Sequence, residues 1–511
     1  MWQENGYSVK RLIQNLRETA KGRSILFSPL SLFKWIVFAL YLYTVFNESY
    51  TTSFHASVIL IYFFQSFIVV KDLLSSQIRK PILNKETIIV IIFSLTSVFI
   101  IFNIPLLDRF FWILFIDRIT ILIVSFFVFI VSFPVELLED AAITKARNKI
   151  RQHKKLLTVG IVGSYGKSST KEFLYQILSK KYNVIRTEGH QNKIAEVAGT
   201  INRSLSSRSQ ILIVEMNDFT RGDISKITEI VRPDIGIITG VNSQNLSSFK
   251  TLNDSMLSKN QLFQNLSKKG FSLFNGRDND VLKMFNKAKK PKKVYLTNDT
   301  PPTEIDVANI AITVTNKRVK KESISFDALI GKNKIHIESL LVGEHNIENI
   351  LPAIYIADFL GMAPFEIKKS ALGLTPPENT LVISVNADGV TLIDDTTNTN
   401  PESLIAALEY MKLYKTKKYV VMQTMTQLGK DAIKIHEELA LKISQQCDYL
   451  FITNKDYSKV MINCSNKENT KCVVKCLSRG KITDFLNSNI KSKDVVLFEG
   501  TDTRSILEKI S

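Results

Sequence analysis

Gly160-Ile-Val-Gly-Ser-Tyr-Gly-Lys-Ser-Ser-Thr-Lys-Glu172 is the stretch on which the reading of this chain turns. Thr158–Val162 reads as a short buried strand, and Ser169–Lys180 has helical spacing, with Phe173, Leu174, Ile177 and Leu178 on one face. A glycine-rich turn between strand and helix points backbone N–H groups at an anion, and the positive end of the helix adds to that field. Lys167 supplies a full charge for phosphate oxygens, and Ser168 or Ser169 offers a hydroxyl to Mg²⁺. The strict phosphate-loop form G-x-x-x-x-G-K-[ST] is not met, because position 161 is Ile; the shorter G-x-x-G-K-S-S-T stands here. Strand, loop and helix together predict a nucleotide site in an α/β domain, with Gly163, Ser164, Gly166, Lys167, Ser168 and Ser169 around the phosphates.

Upstream of this loop the chain changes character. Leu30–Phe46, His55–Val70, Thr87–Ile104 and Phe110–Phe133 are apolar runs near membrane-spanning length with few charges, and they predict an α-helical membrane domain of about four spans. Lys and Arg cluster before the first run, between the second and third, and at Lys145–Lys155, whereas the loops near Asn47–Ser53 and Pro105–Arg109 are almost free of them. By the positive-inside tendency both termini are cytoplasmic, and everything after about Pro134 sits where ATP is available. The first apolar run begins near residue 30 and others follow it, unlike a cleaved signal peptide. Asp117–Arg118 in the fourth run reads as a pair that neutralises itself or faces the bundle interior rather than as an ion path.

Composition bounds the rest. The 511 residues suggest about three domains, and a net charge of +18 points to nucleic acid or an anionic membrane surface as partner. No nucleic-acid-binding motif accompanies the Lys-rich tail, so the apolar runs decide for membrane lipids and no nucleic acid. Cys447, Cys464, Cys472 and Cys476 show no CxxC pair and read as cytosolic free thiols, and the six histidines show no zinc-ligand spacing.

From about Thr158 to Ser511 the chain resembles the Mur ligase superfamily, most of all the branch that adds D-alanyl-D-alanine to the muramoyl tripeptide. Gly163–Ser169 fits that family's ATP loop, G-[ST]-x-G-K-[ST]-[ST]. In order along the chain there follow Thr187–Ala195 (TEGHQNKIA), Glu215–Ile224 (EMNDFTRGDI), Pro233–Leu246, Ser258–Phe263 (SKNQLF), Asn275–Asp278 (NGRD), Gly343–Asn349 (GEHNIEN) and Asp394–Ser403 (DDTTNTNPES). The resemblance implies an ATP-dependent, ADP-forming amide ligase of cell-wall precursor assembly, with ATP and Mg²⁺ as cofactors. A carboxylate attacks ATP to give an acyl phosphate, and an amine then displaces phosphate. Carried over by position, it places Ser168, Glu215, Asn245 and a carbamylated Lys259 at metals, Lys167, Lys259 and Glu215 in catalysis, His345, Asn346 and Asn349 beside adenine, and Asp394, Asp395, Asn398 and Asn400 on the C-terminal domain's face of the site. Read without it, Lys259 is a surface lysine on a helix, and His345–Asn349 caps and opens the helix that follows.

The departures from the family pattern are as specific as the matches. Asn245 stands for the metal-site His, Gly240 for Asn and Thr397 for Tyr; Gln423-Thr-Met-Thr-Gln-Leu-Gly429 replaces G-D-M-x-E-L-G, and Glu499-Gly-Thr501 replaces K-G-S. The family's N-terminal UDP-binding domain is absent, its place taken by the apolar runs. The expected organisation is a transmembrane domain over 1–140 with a basic linker to 155, an ATP-binding central domain over 156–374, and a smaller doubly wound α/β domain over 375–511, with a hinge at Gly373–Glu378. The partners implied are a lipid-linked or UDP-linked muropeptide and an amino acid or dipeptide. The rival expectation is a degenerate nucleotide-binding homologue that acts as a membrane scaffold or regulator.

Overall fold

The computed structural model describes residues 29–46, 51–74, 84–105, 109–189, 191–218, 222–242, 251–298, 305–425, 428–467 and 471–511. The chain divides into two compact units, Met1–Ala141 and Ala142–Ser511.

In the first unit every apolar run is helical: α1 (Pro29–Phe46), α2 (Thr51–Leu74), α3 (Lys85–Phe102) and α4 (Arg109–Gln152). Val37, Tyr41, Val58 and Leu114 pack together between them. Asp117 does face a partnered interior. Lys34 Nζ lies 3.1 Å from its Oδ2, Tyr62 donates to it at 2.9 Å, and Arg118 completes the cluster. Among the described residues only α4 is long and apolar enough to cross a membrane; Phe33–Tyr43, Val58–Phe67 and Thr87–Phe102 are apolar but shorter. A hydrocarbon core of about 30 Å calls for about 20 apolar residues, which those three stretches do not reach.

The basic segment expected as a linker is instead helical to Gln152, and the reason is its spacing. Ile143, Ala146 and Ile150 recur at three- and four-residue intervals and pack into the second unit's core.

That unit opens with a nine-stranded sheet of β1 (Leu157–Val162), β2 (Val184–Arg186), β3 (Ile211–Glu215), β4 (Ile235–Ile238), β5 (Phe271–Asn275), β6 (Lys292–Tyr295), β7 (Ile310–Val319), β8 (Ile324–Ile330) and β9 (Asn333–Ser339), in the order 2-3-1-4-5-6-7-8-9. The pairs up to β6–β7 are parallel, and β7, β8 and β9 form an antiparallel meander. Val159, Ile161, Ile211 and Ile213 point into one apolar layer, while Val162, Leu212 and Val214 point into the other. Strands covered on both faces read as continuous β-branched runs, which is how they stood out in the sequence. The helices that matter for the site are α5 (Lys167–Leu178), α6 (Ile194–Ser204), α7 (Asp223–Val231), α8 (Leu252–Gln264), α9 (Asn279–Lys287) and α10 (His345–Phe359).

After α11 (Pro364–Leu372) the chain enters a second sheet of β10 (Val382–Val385), β11 (Thr391–Asp395), β12 (Lys418–Met422), β13 (Tyr449–Ile452), β14 (Val473–Cys476) and β15 (Val495–Glu499), ordered 10-11-15-12-13-14. All its pairs are parallel except β10–β11, and apolar layers cover both faces, so this is the doubly wound domain the sequence predicts. The expected hinge stretch is tied down at Thr375, whose N–H donates to Gln176 Oε1 at 2.9 Å while Gln176 Nε2 donates to its carbonyl at 2.9 Å.

Candidate active site

Strand order reverses about β1, and four neighbouring strands deliver their C-terminal ends to one place: β3 with Glu215, β1 with the Gly163–Gly166 loop, β4 with Thr239 and Gly240, and β5 with Asn275 and Asp278. Open α/β sheets put ligands at such a crossover. Gly166 caps α5 with φ +73°, and a Cβ there would lie 2.7 Å from Asn349 Oδ1, so glycine is required both by backbone and by space. Ser164 N–H donates to Gly240 O at 2.7 Å, which pins the loop to β4. Lys167 Nζ folds back onto Gly163 O at 2.7 Å; its proton affinity is lowered by desolvation.

Glu215 is the centre of the constellation and is 1% exposed. Its Oε2 accepts from Ser168 Oγ at 3.0 Å and from Lys171 Nζ at 3.1 Å, and its Oε1 accepts from Asn192 Nδ2 at 3.1 Å. Burial alone would raise its pKa; the charges of Lys171 and Lys167 and the Asn192 bond outweigh it and hold the carboxyl below the usual glutamate value. Two oxygens bound cis on an octahedral Mg²⁺ at about 2.1 Å stand about 3 Å apart. The 3.0 Å between Ser168 Oγ and Glu215 Oε2 therefore fits one such ion, with the remaining positions left to phosphate oxygens and water.

The second metal position does not fit. Lys259 is 1% exposed on α8, with its Nζ 3.0 and 3.3 Å from the two oxygens of Asp218 and 2.8 Å from Ser255 Oγ. A paired ammonium offers no ligand. Among the described residues no group of three His, Cys, Asp or Glu side chains could hold a metal, and Asn245 lies outside the described residues.

A cavity of about 510 Å³ joins the two domains of this unit; Ser164 to Ser169, Asn192 and Glu215 line it from the central domain, and Asp395, Asn398 and Asn400 from the other. His345 and Asn349 also line it, whereas Gly163, Asn346 and Lys259 do not. Asn346 instead donates to Val342 O at 2.8 Å, the local turn role open from sequence alone. His345 is pushed down to about 4 by burial, so the ring is neutral, and its Nδ1 has no partner among the described residues. A buried ring nitrogen without a partner is a place for a ligand's donor.

In the C-terminal domain Asp395 accepts from Asn398 Nδ2 at 2.7 Å and Leu381 N–H at 3.0 Å, and it shares a hydrogen bond with Glu499. Burial raises Asp395 to about 6, and Glu499, fully enclosed, lies well above the usual range for the same reason and because Asp395 faces it. Asn400 caps helix α12 (Pro401–Met411) by accepting from Ser403 N–H at 2.9 Å, and Thr424 pairs with Asn454.

Lys171, Asp218 and Tyr165 carry roles that sequence reading missed. Lys171 follows Ser168 by three residues and Lys167 by four, so helical spacing alone turns it toward the same point. Asp218 and Tyr165 meet partners distant in sequence, and no local pattern announces them. Tyr165 Oη donates to Asp278 Oδ2 at 3.0 Å, and its ring lies where a Cβ on Gly240 would be.

Two family descriptions match the chain: the Mur ligase middle domain over residues 161–357 and the Mur ligase, glutamate ligase domain over 381–501. The UDP-N-acetylmuramoyl-tripeptide–D-alanyl-D-alanine ligase of Borreliella burgdorferi is 27% identical over 357 residues, covering 67% of this chain and 71% of that one. Its counterpart from Buchnera aphidicola is 30% identical over 297 residues, 58% of this chain and 62% of that one. The chain thus spans less than two thirds of the length of some relatives. In fold it is similar to the MurF ligase of Thermotoga maritima, whose crystal structure is a complex with ADP, at a TM-score of 0.62 and 21% identity over 73% of this chain and 82% of that one. The two family matches begin at residue 161, and they establish that the chain carries the middle and the glutamate ligase domains of the Mur ligases, a family of ATP-dependent, ADP-forming ligases.

Proposed function

We propose that this chain is a membrane-anchored amide ligase of cell-wall precursor assembly. The observation that carries the reading is the Ser168–Glu215 pair, 3.0 Å apart beneath the phosphate loop, in a cavity that the glutamate ligase domain completes with Asp395 and Asn398. The acceptor's carboxylate oxygen attacks the terminal phosphorus of ATP and ADP leaves; an amine nitrogen then attacks the acyl carbon, phosphate leaves and the amine loses its proton. Such chemistry asks for positioning and charge more than for covalent catalysis. Mg²⁺ held by Ser168 and Glu215 would offset charge between the phosphates. Lys167 and the loop N–H groups bind phosphate oxygens, Lys171 keeps Glu215 ionised, and neutral His345 offers Nδ1 to the adenine side. Closure of the two domains over the cavity would exclude water from the acyl phosphate.

The acceptor is a muropeptide, UDP-linked or lipid-linked, and the amine an amino acid or dipeptide such as the D-alanyl-D-alanine named for the relatives. We place α4 across the cytoplasmic membrane with the ligase domains on the cytoplasmic side. An apolar stretch of α4 with a mean hydropathy of 2.6 supports this. A cavity of about 830 Å³ lined by Lys149, His153, Lys154, Lys155 and Arg208, with no acidic side chain, suits an anionic surface beside the last helix.

The second reading, a nucleotide-binding scaffold that does not ligate, is favoured by one observation: Lys259 is held by Asp218 and supplies no ligand. Release of ADP and phosphate by the detergent-purified full chain decides between them. Turnover that requires both a muropeptide and an amine, and that disappears in Lys167→Ala, establishes the ligase. Nucleotide binding without such turnover establishes the scaffold.

A further inference from the structure

We propose that the Asp218–Lys259 ion pair is a permanent part of this site, so that Lys259 remains an unmodified ammonium and nucleotide is held with one divalent cation rather than two. The count of cations rests on the nucleotide reading above; the state of Lys259 does not.

Three acceptors surround the ammonium: Asp218 Oδ2 at 3.0 Å, Asp218 Oδ1 at 3.3 Å and Ser255 Oγ at 2.8 Å. An ammonium has three N–H donors, and here each has a partner. Both side chains are 1–2% exposed, so neither charge is tolerated without the other. Carbamylation would require the ammonium to give up a proton, the neutral amine to attack the carbon of CO₂, and a second proton to leave as the N–C bond forms. Each stage runs against this pocket. The first would break the ammonium's bonds to Asp218 and Ser255, and the product would set a second anion against Asp218 with its cation gone. Electrostatics close the argument from the other side. Lys167 experiences both charges of the pair, so the pair already stands where it acts on the phosphate-binding lysine. Lys259 as a paired ammonium offers no ligand, so the oxygens of Ser168 and Glu215, 3.0 Å apart, are left to hold a single Mg²⁺.

The test uses the full chain in detergent and two probes. The first is ¹³C-labelled bicarbonate, followed by ¹³C NMR in the absence of nucleotide; the second is Mn²⁺ with a non-hydrolysable ATP analogue, followed by electron paramagnetic resonance. The expected result is no carbamate resonance that distinguishes the natural chain from Lys259→Arg, and one Mn²⁺ per bound nucleotide. A carbamate resonance that is lost in Lys259→Arg overturns the proposal, as do two Mn²⁺ ions per nucleotide. Since the NMR measurement needs no nucleotide, it decides the fate of Lys259 even if the chain binds none, an outcome that would instead sink the ligase reading.

Discussion

Replacing Lys171 by Met should cost this protein more stability than any exposed charge change, and the structure gives the size. Lys171 is fully buried, and its ammonium lies 3.1 Å from Glu215 Oε2. At an effective dielectric of about 20 that separation corresponds to about 5 kcal/mol of attraction, and breaking a buried pair by removing one partner typically costs about 3–5 kcal/mol. Met keeps the length and apolar volume of the stem, so the packing loss is small. Ser168 and Asn192 still donate to the stranded carboxylate, which puts the expectation at the lower end, about 3 kcal/mol. The pH dependence has a definite sign. Glu215 is depressed in the folded state, since the charges of Lys171 and Lys167 outweigh the upward push of burial. Its stabilisation is therefore present above the unfolded glutamate value of about 4.3 and is lost as pH falls through the folded value. In Lys171→Met the buried anion becomes a penalty that protonation removes, so the gap between variant and parent should narrow as pH is lowered toward about 4. The assay is urea unfolding of the second unit across pH for Lys171→Met, Glu215→Gln and the double variant. A loss below about 1 kcal/mol for Lys171→Met, or a double-mutant coupling near zero, would refute the buried-pair reasoning.

Three further outcomes follow from the same geometry. Lys167→Ala should weaken ADP binding by about ten- to a hundredfold, the worth of a charged hydrogen bond, and should destabilise less than Lys171→Met, since Lys167 bonds to the Gly163 and Ser164 carbonyls and acts on Glu215 by charge without a hydrogen bond; calorimetric titration reads the binding. Gly240→Ala should destabilise by about 1–3 kcal/mol, as the new Cβ must displace the Tyr165 ring from Asp278, and Tyr165→Ala in the same chain should relieve most of that loss in a thermal scan. Glu499→Gln should stabilise the chain at pH 7. Burial, and then the facing carboxyl, raise Glu499 well above its usual value and burial brings Asp395 from 3.8 to about 6, so stability falls as pH rises from the unfolded carboxylate values through the folded ones. Unfolding at pH 5 and pH 8 should show that slope flattened in the variant.

Much of the architecture was legible because it is written in local periodicity. Buried parallel strands are runs such as Ile211–Glu215 and Ile235–Ile238, and both were readable to within a residue; the helix after the phosphate loop, read as Ser169–Lys180, lies two residues earlier at Lys167–Leu178. Helices could be placed in each apolar run upstream, yet their reach could not, because charges and polar residues at the ends shorten three of the apolar stretches. The basic segment after Pro134 looked like a linker by charge, and only the three- and four-residue rhythm of Ile143, Ala146 and Ile150 contradicted it. Ser168, Glu215, Asn349 and Asp395, named from sequence order, line one cavity, while Asn346 turns away to Val342 O just ahead of its helix. What no local pattern can supply is pairing over distance: Lys259 was visible and Asp218 was visible, but not that they touch.

That same blindness bears on how the departures from the family pattern are weighed. Taken singly, Asn245, Thr424 and Glu499 each read as a loss and favour a degenerate scaffold, and Gly240 departs from the family pattern too. In three dimensions some of these positions meet a neighbour that sequence does not show. Gly240 leaves the space that the Tyr165 ring fills, and Tyr165 in turn anchors on Asp278 at the end of β5. Lys259 is neutralised by Asp218, three residues beyond the Glu215 that remains poised beside Ser168. Glu499 accepts from Ser403 at 3.0 Å but faces the like carboxyl of Asp395, so this departure is enclosed without a complementary charge. Random decay removes partners and leaves buried polar groups unsatisfied, at about 1–3 kcal/mol apiece. The Gly240–Tyr165 pairing beside an intact phosphate loop and Ser168–Glu215 pair fits the proposed ligase, whereas Lys259 held by Asp218 and Glu499 set against Asp395 fit the scaffold, and turnover that requires both a muropeptide and an amine decides between them.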